Sequence, residues 1–243
     1  MKIALQMHSL RDVKDDFATQ LRKVAGIGYA GVEFAGFHGM SKAELGKLLS
    51  DRTLEAAAAH IGYDQLKDNL AKTLDFCAGL GIKYAALPHY GFTCADDYKR
   101  IGGFLSDCAL ASAKYGIQMM FHNHAAEIET VYGGKRGIDY LLEDRDVMFQ
   151  PDIYWIQYAG CEPREFLKAY AGRCPVVHVK DMTGDGTRKS VPVGTGVVDV
   201  AGVLKLCPAL GTKWLTVEDE SEGEPWENVT VSYAILEKLL QKK

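Results

Sequence analysis

Glu55-Ala-Ala-Ala-Ala-His60, an amphipathic stretch over residues 64–80 that stops at Gly81, and then Tyr84-Ala-Ala-Leu-Pro-His89 make one complete unit. A short apolar run ends in a polar residue, a helix-spaced segment follows, and a second apolar run ends the same way. That grammar is strand, crossover helix, parallel strand. It recurs along the whole chain. Strand-like runs cover residues 3–8, 31–33, 55–60, 84–89, 117–124, 147–152, 176–178 and 214–218, and close on His8, Glu33, His60, His89, His124, Asp152, His178 and Glu218. Six of the seven histidines lie in these runs. At about 30 residues per unit, strict alternation predicts an α/β chain folded as a (β/α)8 TIM barrel, in which the C-terminal strand ends converge on one mouth. Such a gathering of His, Asp and Glu is the pattern of a metal enzyme.

The 243 residues suit one barrel domain spanning residues 1–243, and the 47% hydrophobic content can fill its core. Helix signals agree. A stretch over residues 16–26 stops at Gly26 and Gly28, Ser41 with Glu44 forms a capping box, residues 95–115 end at Gly116, Pro163 opens a helix running to Tyr170, and residues 228–240 close the chain. An open doubly wound sheet is the alternative. It is disfavoured because the first strand leads into Ser9-Leu-Arg-Asp12 and not a Gly-rich turn.

A formal charge of −4 supplies no broad basic surface, which argues against nucleic acid and favours a small polar substrate. The six cysteines form no C-x-x-C pair, so neither a zinc knuckle nor a redox motif is indicated, and a reduced cytoplasm is the expected home. No export signal, and no run of 18 apolar residues that would enter a membrane, is present. Asn228-Val-Thr230 matches a glycosylation acceptor, a pattern common by chance. A homo-oligomer stays open.

Asp152, His178 and Glu218 each follow a strand expected to be buried on both faces, and together they make a mixed oxygen and imidazole shell for one divalent ion. The run Met119-Met-Phe-His122-Asn-His124 puts two imidazoles on one face of a strand, if His124 is still within it. Glu33, His60 and His89 are expected on the opposite wall, to position substrate or move protons, and His8 is a further expected substrate contact. Lys180, two positions after His178, should face the same way and steady an oxyanion or phosphate. Tyr154, Trp155 and Trp226 are candidates for an aromatic wall against a sugar ring. Gly194-Thr-Gly196 reads as a turn and a weak phosphate cradle. The acidic tract from Glu218 to Glu224 reads as a solvated loop apart from its first residue.

Gln6-Met-His-Ser-Leu-Arg-Asp12, Gly31-Val-Glu-Phe34, Phe121-His-Asn-His124, Asp152-Ile-Tyr-Trp155, Gly172-Arg-Cys-Pro-Val-Val-His-Val-Lys-Asp181, Val193-Gly-Thr-Gly-Val-Val-Asp199 and Val217-Glu-Asp-Glu220 resemble the sugar phosphate isomerase/epimerase family of xylose isomerase-like barrels. The resemblance covers nearly the whole chain in the family's order. It implies one divalent metal ion (Mn, Mg, Zn or Co) held by His122, Asp152, His178 and Glu218, and a keto sugar, sugar phosphate or inosose-like polyol as substrate. Proton abstraction next to a metal-polarised carbonyl would then drive isomerisation, epimerisation or elimination. The family's ketose epimerases carry Glu where this chain has His122, and they use two glutamates as an acid/base pair. The replacement disfavours C3 epimerisation and suits a lyase or hydratase step, with Glu218 or His124 as base and His60 or Lys180 as acid or oxyanion partner.

Two rivals remain. Apurinic-site endonucleases share the superfamily, but Trp155 stands where they have a further His, and the Val191-Pro-Val193 region lacks their Asp-x-His. A noncatalytic barrel that binds sugar or serves as a partner subunit would keep the shape without the chemistry. All four metal positions hold competent ligands here, which favours the enzyme.

Overall fold

The computed structural model describes residues 1–241, so the last two residues of the domain expected over 1–243 lie outside the described residues. Eight parallel strands form the barrel: β1 (Lys2–Gln6), β2 (Gly31–Ala35), β3 (Glu55–His60), β4 (Tyr84–Leu87), β5 (Gln118–His122), β6 (Met148–Gln150), β7 (Val176–Val179) and β8 (Trp214–Val217). They hydrogen-bond in the order β6-β5-β4-β3-β2-β1-β8-β7. The ring is completed between β6 and β7 by an isolated parallel bridge, Asp152 to His178, with the His178 N–H donating to the Pro151 carbonyl at 2.8 Å.

Strands of such a barrel are covered on both faces, which is why they read as apolar runs and not as alternations. Met119, Met120 and Phe121 are all fully buried, as are Val176 and Val177. Inside the N-terminal end, Trp214 and Met120 pack against the small residues Ala4, Ala58, Ala86 and Val176. A narrow barrel needs that mixture of large and small side chains.

Helices fill the crossovers. α1 (Phe17–Ile27) is capped by Asp16, whose side chain accepts from Thr19 N–H, and ends on Gly28 at φ 121°. α2 (Lys42–Ser50) carries the expected capping box of Ser41 and Glu44. α3 (Tyr63–Gly79) and α4 (Ala95–Ala113) follow, then the short α5 (Ala126–Glu129), α6 (Gly137–Leu141), α7 (Ile153–Tyr158) and α8 (Pro163–Leu167), and finally α9 (Val200–Leu210) and α10 (Pro225–Gln241). No helix among the described residues is long and apolar enough to cross a membrane.

Five residues expected to close strands lie beyond them, among them His89, since β4 ends at Leu87, and Glu218, since β8 ends at Val217. His8 sits in a 3-10 turn over Met7–Leu10 and not on β1. His124 lies beyond β5, because the strand stops at His122 and the His124 N–H turns to the Glu127 carboxylate at 2.8 Å. Asp152 is the N-cap of α7. Two small antiparallel hairpins, Val131–Tyr132 with Lys135–Arg136 and Asp181–Met182 with Ser190–Val191, decorate the loops.

Candidate metal centre

His122, Asp152, His178 and Glu218, from the ends of the four strands β5 to β8, are all buried, and each offers a ligand atom within 4.8 Å of the others. Asp152 is held by its surroundings. Its N–H donates to the Asn123 side-chain oxygen at 2.9 Å, and its Oδ1 accepts from the N–H groups of Tyr154 (2.9 Å) and Trp155 (3.2 Å) at the start of α7. Its Oδ2 is buried without a protein partner, and so is His122 Nδ1. Orphaned buried polar atoms are costly unless something else satisfies them.

Burial lifts the Asp152 carboxyl to about 6, with the Glu218 charge adding to the rise against Lys180 and His178. Burial likewise drives His122 well below its ordinary value, so its imidazole is neutral and free to ligate. At His178 burial pulls down, but Glu33 and Glu218 outweigh it and raise the ring to about 10. Its Nδ1 lies 3.1 Å from Glu218 Oε2. Two imidazoles and two carboxylates with unpartnered atoms between them suit a divalent ion of borderline character, so the residues present fit the implied metal.

His60, His122 and His178 make a second possible trio by distance alone. Hydrogen bonding decides between the two. His60 Nε2 lies 2.8 Å from Gln150 Oε1 and 3.2 Å from Glu33 Oε1, and His178 Nε2 lies 2.7 Å from Glu33 Oε2. Those nitrogens are occupied, whereas the mixed set keeps unpartnered atoms. With Asp152 Oδ2 and His122 Nδ1 unpartnered, the mixed set is the better candidate to hold an ion.

The centre opens into a cavity of about 430 Å3. Glu218 lines it, together with His8, His60, His89, His122, His124, Trp155 and Lys180 from the sequence expectation, and with Glu220. His124 has left its strand yet presents its ring to this space. Burial lowers it to about 4, so it is neutral, and its buried Nδ1 has no partner. Lys180 lies under the rings of Tyr154 (4.8 Å) and Trp155 (5.2 Å) and donates to Glu220. Burial alone would lower its pKa, but Asp152, Glu218 and Glu220 outweigh it and keep the ammonium charged.

Three expected residues lie elsewhere. Trp226, placed on the pocket wall by its aromatic character, belongs to α10 on the barrel exterior, where its Nε1–H donates to Asp15 (3.1 Å) and Lys23 sits over its ring (4.9 Å). Glu33 is wholly buried beneath the cavity and faces His178, not a substrate. Tyr154 supports Lys180 from behind and donates through its hydroxyl to the Arg188 carbonyl at 2.8 Å. The Gly194-Thr-Gly196 turn is no open cradle either, because both glycine N–H groups donate to the buried Asp181 carboxylate at 2.9 Å.

Sequence reasoning missed Glu220, Gln150 and Asn123. Glu220 reads in the sequence as part of an acidic loop, although it stands two positions after Glu218 as Lys180 does after His178. Gln150 stands two before Asp152. That spacing of two, continued past a strand end, was the available signal.

The model of the xylose isomerase-like TIM barrel family matches residues 21–238, and the chain belongs to that family. No curated protein sequence matches it. Among solved structures, a sugar phosphate isomerase/epimerase from Parabacteroides distasonis is similar with 22% identity over 97% of this chain and 95% of that one, at a TM-score of 0.81. The IolI protein with a bound zinc atom is similar with 14% identity over 100% and 99%, at 0.77. The probable 3-DHS dehydratase AsbF of Bacillus anthracis is similar with 13% identity over 98% and 99%, at 0.72. Identities this low establish a shared fold.

Proposed function

We propose that the chain is a divalent-metal-dependent enzyme acting on a keto sugar, sugar phosphate or inosose-like polyol, by removing a proton next to a carbonyl. The observation that carries this reading is the set of four buried ligand side chains from successive strands, with Asp152 Oδ2 and His122 Nδ1 unpartnered, opening on a sugar-sized cavity. The zinc in the IolI structure and the epimerase and dehydratase names of other similar folds accord with it. Among the described residues none of the six cysteines is in a disulfide, which suits a reducing cytoplasm.

When bound, the ion supplies Lewis-acid polarisation of the substrate carbonyl. The rest falls to the side chains. Glu218 is the carboxylate of the set that also lines the cavity. Burial would raise its pKa, yet His178 and Lys180 hold it low, so it is ionised and able to accept a carbon-bound proton. His124, neutral and with a free nitrogen, is the second candidate base. Lys180, charged, held against two rings and lining the cavity, is the candidate to stabilise negative charge developing on substrate oxygen. Trp155 gives the sugar ring an apolar surface.

Because His122 occupies the position of a second glutamate, one-base isomerisation, elimination or hydration fits the site better than two-base epimerisation at C3. The test is to incubate metal-loaded protein in deuterated water with fructose, tagatose and psicose beside a 3-keto glycoside and an inosose. The reading expects metal-dependent turnover in the second group. Rapid C3 inversion with deuterium uptake in the free ketoses alone would restore epimerase, and no turnover of any substrate class would favour a noncatalytic barrel.

A further inference from the structure

Glu33 is a fully buried carboxylate that touches no part of the cavity, and a charge so placed persists only with compensating partners. Its partners come from three other strands. Oε2 accepts from His178 Nε2 at 2.7 Å, while Oε1 accepts from Gln150 Nε2 at 2.7 Å and lies 3.2 Å from His60 Nε2. A register shift between Val32 and Glu33, where β2 pairs with β3, accompanies this inward aim.

The direction of every proton in this group follows from the donors available. Gln150 must turn its amide nitrogen to Glu33, since its oxygen there would oppose a carboxylate oxygen at 2.7 Å. Gln150 Oε1 is therefore the acceptor toward His60, and His60 Nε2 must carry hydrogen. His178 Nε2 must carry one as well, because Glu33 can only accept. Each ring then has Nδ1 left for other work. At His178 that atom faces Glu218; at His60, whose ring stacks on His178 with centroids 5.2 Å apart, it is left for the cavity.

We propose that Glu33 is a positioning residue shared by the metal centre and the substrate cavity, one carboxylate that fixes the Nε2–H tautomer of both His178 and His60. The inference rests on the metal-centre reading for His178 and stands independently of it for His60. His178 is thereby set to ligate through Nδ1, with a carboxylate behind it that raises its basicity. His60 is set as a hydrogen-bond acceptor toward substrate, not a donor.

Glu33→Gln makes the test sharp, because an amide offers one acceptor and one donor where the carboxylate offers two acceptors. If the amide nitrogen of the variant faces His178, that ring must give up its Nε2 proton. If the amide oxygen faces His178, the amide nitrogen forces Gln150 to turn over, and His60 gives up its Nε2 proton instead. The measurement is long-range proton–nitrogen NMR of histidine-labelled protein, with zinc affinity measured by competition against a chromophoric chelator. Zinc-loaded wild type should show the Nε2–H tautomer, with no hydrogen on Nδ1, at both rings. The zinc-loaded variant should show reversal at His60, and zinc should bind roughly 10- to 100-fold more weakly. A folded variant with both tautomers unchanged and zinc affinity within about twofold of wild type would overturn the proposal. If the variant does not fold, the wild-type spectrum decides, since Nδ1–H at His60 contradicts the assignment. If wild type binds no zinc, the metal-centre reading fails while the His60 tautomer in zinc-free protein still decides the role of Glu33.

Discussion

Asp152 and His178 meet as the bridge that closes the barrel between β6 and β7, and their side chains are also two of the four candidate ligands. The seam and the site are the same place. β6 is only three residues long, so this contact and the His178 N–H to Pro151 bond hold the C-terminal ends of the two strands together. Strand closure therefore brings ligands from opposite ends of the sheet order to one point.

Substitutions at Asp152 should separate its two duties. Asp152→Ala removes the cap of α7 and should cost about 1 kcal/mol of metal-free stability, as well as abolishing stoichiometric metal. Asp152→Asn keeps an oxygen for the Tyr154 and Trp155 N–H groups. It should melt close to wild type without metal while binding the ion far more weakly. Equal metal-free melting of the Ala variant and wild type would remove the capping role.

His124 should prove separable from stability. It stands at the C-terminal mouth, where side chains serve the site more than the core. His124→Asn should fold normally and lose turnover by roughly 10²-fold if the ring transfers a proton. A folded variant with full turnover would take His124 out of the mechanism and leave Glu218 as the base.

Lys180→Met should act on chemistry more than on stability. Removing one member of a buried pair is severe when the other stays buried, but the Glu220 side chain is 32% exposed and can turn to water, and His178 remains to offset the charge of Asp152 and Glu218. The expected result is a small change in melting temperature with turnover reduced by about 10² or more, the scale of a lost oxyanion partner. A large loss of stability with unchanged turnover per folded molecule would make Lys180 structural.

Thiol labelling should follow burial. Burial pushes Cys77 up to about 12 and Cys108 up to about 11, so neither forms thiolate near pH 8. Cys174 and Cys207 are also buried, Cys161 is partly covered and Cys94 is exposed. Iodoacetamide on native protein should modify Cys94 first and Cys161 more slowly, with the other four reacting only on unfolding. Mass spectrometry that finds early modification at Cys77 or Cys108 would contradict the packing of α3 and α4.

The barrel and the gathering of the four candidate ligands at one mouth were legible in the sequence because both depend on strand order. His122, Asp152, His178 and Glu218 end successive apolar runs, and parallel strands carry such ends to one mouth. Depth was not legible. Glu33 and His60 end neighbouring runs in the same manner, yet one lies beneath the cavity and the other lines it, a difference set by register at the β2–β3 irregularity. Trp226 shows the limit on the helical side, since residue type alone does not tell which face of α10 meets the barrel. Glu220 and Gln150 were hidden because their partners, Lys180 and Glu33, lie 40 and 117 residues away.

Metal content of the purified chain tests the central claim most directly. After exposure to zinc, manganese, magnesium or cobalt and removal of loosely held ions, inductively coupled plasma mass spectrometry should find close to one divalent ion per wild-type chain and almost none in His178→Ala or Asp152→Ala. A folded wild-type protein that holds no ion from any of these solutions, or folded variants that retain it fully, would contradict the metal centre and the function built on it.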